Sequence, residues 1–258
     1  MEYGICFLPN IPVRADHDEC SEMTTELLFG ESCVVTDSFE SWSKIKNRAD
    51  GYEGWLTTKM LTFVSEQEYE TYDPTKQAVI SALFSMAVNQ TTGEHMLLTG
   101  GSLLPEYIPD GSFRVKGERY QLNPEDAKPV NETILKTAYK FLHSPYLWGG
   151  KNAMGIDCSG LTQVVFRIHG IQLLRNARHQ ATQGELISFL QESLPGDLAF
   201  FENAGGNITH VGIVAENGHV IHCSGSVRID KLDDEGIFNE EKGAYTHKLR
   251  LVKRLIVE

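Results

Sequence analysis

Residues 145–166 read PYLWGGKNAMGIDCSGLTQVVF and contain the most informative cysteine of the chain, Cys158. Apolar residues recur after it at the spacing of one helix face: Leu161, Val164, Val165 and Ile168. Asp157 is a good helix N-cap, so Cys158 takes the first helical position. Unsatisfied backbone N–H groups and the positive end of the helix dipole favour a thiolate there. The stretch therefore predicts a nucleophilic cysteine at a helix N-terminus.

Length and charge restrict the classes of protein and partner. The chain has 258 residues, 41% of them hydrophobic and 22% charged, which is typical of a globular protein of about two or three compact domains. Its formal net charge of −12 argues against a nucleic acid or an anionic membrane as the main partner. We expect a monomer that binds a small substrate.

The N-terminus and the cysteines indicate a cytoplasmic protein. Residues 1–6 have no basic region and no long apolar run, so we expect no signal peptide. No stretch approaches the roughly 18 apolar residues that span a bilayer. The cysteines are odd in number, widely spaced and without a CxxC pair: Cys6, Cys20, Cys33, Cys158 and Cys223. This pattern fits free thiols in a reducing compartment.

Residues 1–64 have the pattern of a small β-barrel. Three segments, 27–35, 42–46 and 52–56, are rich in β-branched and aromatic residues and are punctuated by turn residues. The runs ELLFGE, WSKI and DGYEGWL resemble a bacterial SH3-like domain. For residues 65–124 we expect a second SH3-like domain, because residues 96–105 read as a strand, a turn and another strand.

Residues 125–258 are expected to form an α+β catalytic domain. Residues 124–129 read as a linker, and a helix begins near Asn131 with these residues on one face: Ile134, Leu135, Ala138 and Leu142. Short β-like runs follow the Cys158 helix at 197–201, 210–214 and 219–223. Helices that precede antiparallel strands are typical of an α+β fold.

Two histidines flank a predicted hairpin, and the length of its loop decides whether they share a face. A two-residue loop, Asn217-Gly218, places His222 opposite Ile213, so His222 and His210 point to opposite faces of the sheet.

A three-residue loop, 216–218, instead places His222 opposite Gly212 and on the same face as His210. A type I turn followed by a left-handed glycine suits this loop. This register also collects apolar residues on the opposite face: Val211, Ile213, Ile221 and Cys223. We therefore predict the three-residue loop.

Four separated motifs occur in the order found in one enzyme family: residues 145–166, PGDL at 195–198, HVGIV at 210–214 and HCSG at 222–225. They resemble the NlpC/P60 family, papain-like cysteine peptidases that cut bacterial cell-wall peptides. The resemblance implies Cys158 as nucleophile, His210 as general base and His222 as the residue that orients His210. It implies no cofactor and no metal.

The SH3-like segment before this domain resembles one branch of the family, the γ-D-glutamyl-diamino acid endopeptidases that act on free stem peptides. The resemblance implies that Asp157 and Ser159 help to hold the substrate and that Tyr146 lines the site. It also implies that Glu22 and Tyr52 cap the pocket around the free amine of L-Ala. The chain has Leu173-Leu174-Arg175 where the family often has Leu-Pro-Arg, which affects the loop there.

Four further histidines lie outside these motifs, and we expect ordinary structural roles for them: His169, His179, His219 and His247. Cys223 cannot readily share a metal with His222, because adjacent strand residues point to opposite faces. For Trp148 the sequence leaves open a place in the core or in the groove wall. Two other functions stay open: an amidase or acyltransferase built on the same papain-like site, and a non-catalytic wall-binding protein.

Overall fold

The computed structural model describes residues 1–255, and its first seven strands form one antiparallel sheet. The strands are Glu2–Ile5 (β1), Asn10–Arg14 (β2), Met23–Leu28 (β3), Ser32–Phe39 (β4), Trp42–Asn47 (β5), Glu53–Thr57 (β6) and Thr62–Val64 (β7). Their order in the sheet is β3-β2-β6-β5-β4-β1-β7. Turns fall at Gly30 and Gly51, both with positive φ. The sheet encloses a buried apolar core: Cys6, Ile11, Val13, Leu27, Cys33, Ile45, Leu56 and Leu61.

Residues 65–124 form a short helix and two small sheets. The elements are Glu66–Thr71 (α1), Ala78–Val79 (β8), Phe84–Asn89 (β9), His95–Thr99 (β10), Leu103–Leu104 (β11), Ser112–Val115 (β12) and Glu118–Gln121 (β13). One sheet has the order β10-β9-β13-β12, and β8 pairs with β11. The predicted strand, turn and strand at 96–105 are confirmed as β10, the turn at Gly100-Gly101, and β11. Ile5 of β1 and Phe29, which follows β3, pack into the core of this segment. A second SH3-like domain here stays a prediction.

The helices of the C-terminal part are Ile134–Lys140 (α2), Cys158–Ile168 (α3) and Ala177–Gln180 (α4). The predicted linker carries a 3₁₀ turn at Pro124–Ala127. Helix α2 begins later than the sequence suggests, because Thr133 is its N-cap and its hydroxyl accepts from the Lys136 backbone N–H. The helix also ends before Leu142. Between α2 and α3, the short strands Lys151–Asn152 (β14) and Gly155–Ile156 (β15) pair with each other.

The last strands build a closed barrel beside α3. They are Glu185–Ile187 (β16), Leu198–Glu202 (β17), Ile208–Ala215 (β18), His219–Ser224 (β19), Ser226–Leu232 (β20), Gly236–Asn239 (β21) and Ala244–Arg254 (β22). Strands β17 to β22 pair in a ring, because β22 pairs with both β17 and β21. All eleven residues of α3 are buried, and the apolar stripe of α3 lies in the main core.

A buried ion cluster joins the first sheet to the C-terminal domain. The Glu31 carboxylate lies 3.0 Å from Lys151 Nζ and 2.7 Å from Arg167 Nη2, and all three side chains are fully buried. The backbones also approach closely, because a Cβ on Gly149 would lie 2.6 Å from the Met23 carbonyl oxygen. The first sheet is therefore a wall of the C-terminal domain and contacts it beside the nucleophile motif.

Candidate active site

Cys158 is the first residue of α3, as the sequence predicts. The Asp157 side chain caps the helix, with its Oδ1 accepting from the Gly160 N–H at 2.7 Å. Gly160 must be glycine, because a Cβ there would lie 2.3 Å from the Gly150 carbonyl oxygen. The helix N-terminus therefore packs directly against the glycine-rich loop that precedes it.

The Asp157 carboxylate is held by donors on every side. It accepts from the backbone N–H groups of Gly149 and Gly160, from the Ser159 hydroxyl and from two nitrogens of Arg175. Arg175 is buried, and its Nε also donates to Thr25 Oγ1 on β3 at 2.8 Å. Loop 173–175 thus places the Arg175 guanidinium against Asp157 although it lacks the proline that the family often has. Contact of Asp157 or Ser159 with substrate stays a prediction.

Burial opposes the thiolate that the helix N-terminus favours at Cys158. The thiol is only 6% exposed, and burial together with the neighbouring Asp157 carboxylate raises its pKa to about 12. The backbone N–H groups of Val211 and Ser159 and the Arg175 guanidinium lower the pKa, but by less. The helix dipole stabilises a thiolate, but burial removes the water that would hydrate its charge. Loss of hydration and the Asp157 charge therefore favour the neutral thiol.

The hairpin has the predicted three-residue register. Ala215 pairs with His219, and Gly212 pairs with His222. His210 Nε2 lies 2.9 Å from His222 Nδ1, so both rings share one face of the sheet. The turn differs in detail from the predicted type I turn, because Asn217 as well as Gly218 has a positive φ.

Asp230 on β20 extends this pair into a chain of three side chains. His222 Nε2 lies 2.9 Å from Asp230 Oδ2, and both side chains are buried. Burial alone would raise the pKa of Asp230, but hydrogen bonds from His222 and Arg228 lower it. Asp230 was not predicted from the sequence as a site residue. The available signal was strand alternation, since Asp230 lies diagonally across from His222 on the paired strand.

The chain of contacts fixes the tautomer of His210 when all rings are neutral. Ionised Asp230 only accepts, so the His222 proton resides on Nε2 and leaves Nδ1 as an acceptor. His210 Nε2–H then donates to His222 Nδ1, and His210 Nδ1 carries a free lone pair. The pKa of His210 is well below 6.5 because of burial and the nearby His247 and His222 rings. His210 is therefore a neutral base whose open nitrogen is Nδ1.

His247 on β22 is a third histidine at this site. Its ring stacks on His210, with a centroid separation of 4.1 Å, and lies 5.7 Å from the His222 ring. The sequence did not place His247 at this site, and an ordinary structural role for it stays a prediction. The three histidines grouped with it in the sequence bond elsewhere: His169 to Thr137 Oγ1 at 2.8 Å, His179 to Arg178, and His219 to the Glu216 carbonyl. Cys223 points away from His222, and its thiol donates to the Ile156 carbonyl.

A cleft of about 510 Å³ opens above Cys158. Its walls include Glu22 and Tyr52 from the first sheet segment, so the structure brings both residues to the nucleophile as the resemblance implies. Other lining residues come from the C-terminal domain: Trp148, Asn176, Arg178, Asn207 and Thr209. Trp148 is 57% exposed, which places it in the groove wall and not in the core.

Tyr146 lies beside this cleft. Its backbone N–H donates to the Gly225 carbonyl at 3.0 Å. Burial, followed by the charges of Cys158 and Asp157, raises the pKa of its hydroxyl. The phenol is therefore protonated at neutral pH and can donate a hydrogen bond close to the thiol.

Comparison with known proteins agrees with this geometry. The NlpC/P60 family pattern matches residues 143–244, and that of a bacterial dipeptidyl-peptidase SH3 domain matches residues 13–61. A gamma-D-glutamyl-L-lysine dipeptidyl-peptidase of Bacillus subtilis is 31% identical over 81% of this chain and 77% of its own length. The chain belongs to the NlpC/P60 family. A Bacillus cereus protein of the same name is 28% identical over 87% of this chain and 75% of its own length.

The fold is also that of a solved NlpC/P60 protein. A crystal structure of a family member from Bacillus cereus superposes with a TM-score of 0.83 at 21% sequence identity, covering 98% of this chain and 99% of that one. The α+β fold with an SH3-like segment before a papain-like domain is thereby confirmed, and so is the class of cysteine peptidase. The domain boundaries at 64 and 124 stay predictions. Within residues 1–255, no helix has the length and apolar character needed to cross a bilayer.

Proposed function

We propose that this NlpC/P60 peptidase hydrolyses the bond between the γ-carboxyl of D-Glu and the diamino acid in peptidoglycan stem peptides that have a free N-terminal L-Ala. The observation that carries the proposal is the composition of the cleft. Glu22 and Tyr52, from a different domain than the nucleophile, line the same space as Cys158. The relatives named gamma-D-glutamyl-L-lysine dipeptidyl-peptidases support this bond specificity.

Glu22 is the carboxylate best suited to hold the substrate amine. It is exposed in the cleft, whereas the carboxylate of Asp157 is 5% exposed and already saturated by protein donors. A free L-Ala amine is positively charged at neutral pH and pairs with a carboxylate. An L-Ala whose amine is acylated, as in uncut wall strands, carries no charge and leaves Glu22 unpaired. The cleft would therefore select released peptides.

The reaction begins from the neutral thiol and neutral imidazole. His210 Nδ1 takes the Cys158 proton as the sulfur attacks the γ-carbonyl carbon. His222 and Asp230 stabilise the imidazolium that forms, because His222 Nδ1 accepts from His210 Nε2–H while Asp230 holds the His222 ring. The Cys158 backbone N–H and the Tyr146 hydroxyl donate to the tetrahedral oxyanion, and one such donor contributes on the order of 3 kcal/mol.

The intermediate then collapses. The C–N bond breaks, and His210 gives its proton to the leaving amine of the diamino acid. This leaves an L-Ala-γ-D-Glu thioester on Cys158. Water, deprotonated by His210, attacks the thioester, and L-Ala-D-Glu leaves as the free acid while the thiol regains a proton.

We place this activity in the recycling of cell-wall peptides in the cytoplasm, carried out by a monomer. The five cysteines of the chain are all unpaired in the structure, which fits a reducing compartment. Peptides with a free L-Ala amine are the products of an earlier cleavage of the wall, so the proposed substrate belongs to a late step of turnover.

Mass spectrometry of products tests the proposal. The protein is incubated with L-Ala-γ-D-Glu-L-Lys, with the meso-diaminopimelate analogue and with the N-acetylated forms of both, and Cys158→Ala is the control. We expect L-Ala-D-Glu and the free diamino acid from at least one unblocked peptide, and no product from the control. Equal rates on blocked and unblocked peptides would overturn the amine recognition. The incubation is repeated with an added amine, and a product that contains this amine would indicate an acyltransferase.

A further inference from the structure

We propose that His210, His222 and His247 form a binding site for a divalent transition-metal ion of the zinc class, and that the bound ion inhibits the peptidase. One ring nitrogen from each histidine lies within 4.8 Å of the corresponding nitrogens of the other two. Neutral imidazole nitrogen is a preferred ligand of Zn²⁺, Co²⁺ and Ni²⁺, whereas Mg²⁺ and Ca²⁺ prefer oxygen. The site goes beyond the proposed function, which uses only two of the three rings.

The surrounding groups orient each ring as a metal ligand. His222 Nε2–H donates to Asp230, so Nδ1 of His222 is the ligand nitrogen and a carboxylate supports it from behind. His247 Nδ1 is bonded to Thr246 Oγ1 at 2.9 Å, which leaves Nε2 of His247 for the ion. His210 contributes Nε2, which already faces His222 Nδ1 at 2.9 Å. His247 is only partly buried and its terminal torsion is soft, so the proposal requires its stacked ring to rotate toward the ion.

His247 also borders a second cavity, through which we propose that the ion enters. This cavity of about 470 Å³ has His247 and Thr246 in its wall. Cys158 is not among its lining residues. Its rim carries Glu202, Glu235 and Lys248, and Glu202 pairs with Lys248 at 2.7 Å, so Glu235 adds negative charge for an incoming cation.

Metal binding would block the base by shifting its proton. In the free protein, His210 carries its proton on Nε2 and keeps Nδ1 open for the thiol proton. Coordination of Nε2 to the ion moves that proton to Nδ1, with no net gain or loss of protons. Nδ1–H cannot accept, so attack by Cys158 stops while the cleft stays open to peptide.

Titration of the tag-free protein with Co²⁺ tests the site by visible absorption, which reports the ligand set independently of activity. We expect one equivalent to bind wild-type protein and the Cys158→Ala variant with dissociation constants within about twofold, and no thiolate-to-cobalt absorption in either. His247→Phe keeps a stacked ring of similar size but removes the donor nitrogen, and it should weaken binding at least tenfold. His219→Asn changes a partly buried histidine at the start of β19, is the matched control and should bind as wild type.

Three results would overturn the inference: loss of binding in Cys158→Ala, wild-type binding by His247→Phe, or no saturable binding at all. If His247→Phe does not fold by circular dichroism, Asp230→Asn replaces it and should also weaken binding, since the carboxylate behind His222 is lost. The outcome does not depend on the peptide substrate, because Cys158→Ala binds metal without turnover. With the identified substrate, Zn²⁺ should lower kcat and leave KM within about twofold.

Discussion

Arg175 donates hydrogen bonds to both carboxylate oxygens of Asp157, at 3.0 Å and 2.6 Å. Asp157 is the residue before the nucleophile, and its carboxylate also caps the nucleophile helix. Arg175 further bonds Thr25 on the first sheet, so one buried guanidinium connects the SH3-like segment, the helix cap and the loop before α4. The position of the cysteine therefore depends on Arg175, to which the proposed mechanism gives no bond-making or proton-transfer step.

Replacing Arg175 by methionine should both destabilise the protein and lower its activity. The change leaves the Asp157 carboxylate buried without its cation, a loss of about 3–5 kcal/mol in the free energy of unfolding. Urea unfolding measures this loss, with the exposed Arg114→Met as control. An Arg175→Met protein with wild-type stability would contradict the role assigned to the pair.

Glu31→Gln should destabilise the protein, because Glu31 joins the first sheet to the C-terminal domain. Burial alone would raise the pKa of Glu31, but Arg167 and Lys151 hold it at about 2. The substitution leaves these two cations buried without their counter-charge, and we expect a loss of about 3–5 kcal/mol in unfolding free energy. The exposed Glu2→Gln should unfold at the same urea concentration as wild type.

The same group predicts an acid dependence of stability. A carboxyl whose folded pKa is lower than its unfolded value of 4.5 stabilises the fold fully above that value, and the stabilisation is lost as pH falls toward about 2. Wild-type unfolding free energy should therefore decline from pH 4.5 to pH 2, and Glu31→Gln should show a shallower decline. Identical slopes for the two proteins in this window would be inconsistent with the account.

Asp230→Asn should reduce kcat while KM changes little. The amide cannot stabilise a positive charge on the histidine pair, and a hydrogen bond to a charged group contributes about 1.5–3 kcal/mol, which is roughly a factor of 10 to 100 in rate. His222→Phe should reduce kcat by at least as much, because it removes the contact to His210 as well. Steady-state kinetics on the cleaved peptide measure both. An unchanged kcat in Asp230→Asn would exclude a role for Asp230 in stabilising the charged histidine pair.

Alkylation of Cys158 should accelerate with pH. A thiol pKa of about 12 leaves a small thiolate fraction at neutral pH, and this fraction grows about tenfold for each pH unit. Iodoacetamide labelling between pH 7 and pH 10, followed by peptide mapping, measures the rate, and exposed Cys20 provides an internal reference. A rate that does not change with pH would instead indicate a preformed thiolate–imidazolium pair.

Strand alternation and loop length predicted that His210 and His222 share one face of the sheet, because both depend only on local sequence. The register of the 210–222 hairpin follows from a period of two and from the count of loop residues. His247 could not be placed in this way. It reaches the site only because β22 closes the barrel, and the pairings of β22 with β17 and β21 contain register shifts that break simple alternation. The thiol pKa also escaped prediction, since burial depends on the whole fold.

The most direct test of the central claim is a search for the thioester on Cys158. Wild-type protein is mixed with L-Ala-γ-D-Glu-L-Lys, quenched with acid within the first turnover and mapped by mass spectrometry. We predict that the peptide containing Cys158 gains the mass of an L-Ala-D-Glu acyl group, and that Cys158→Ala neither carries the adduct nor cleaves the substrate. Cleavage by Cys158→Ala at the wild-type rate would contradict the account.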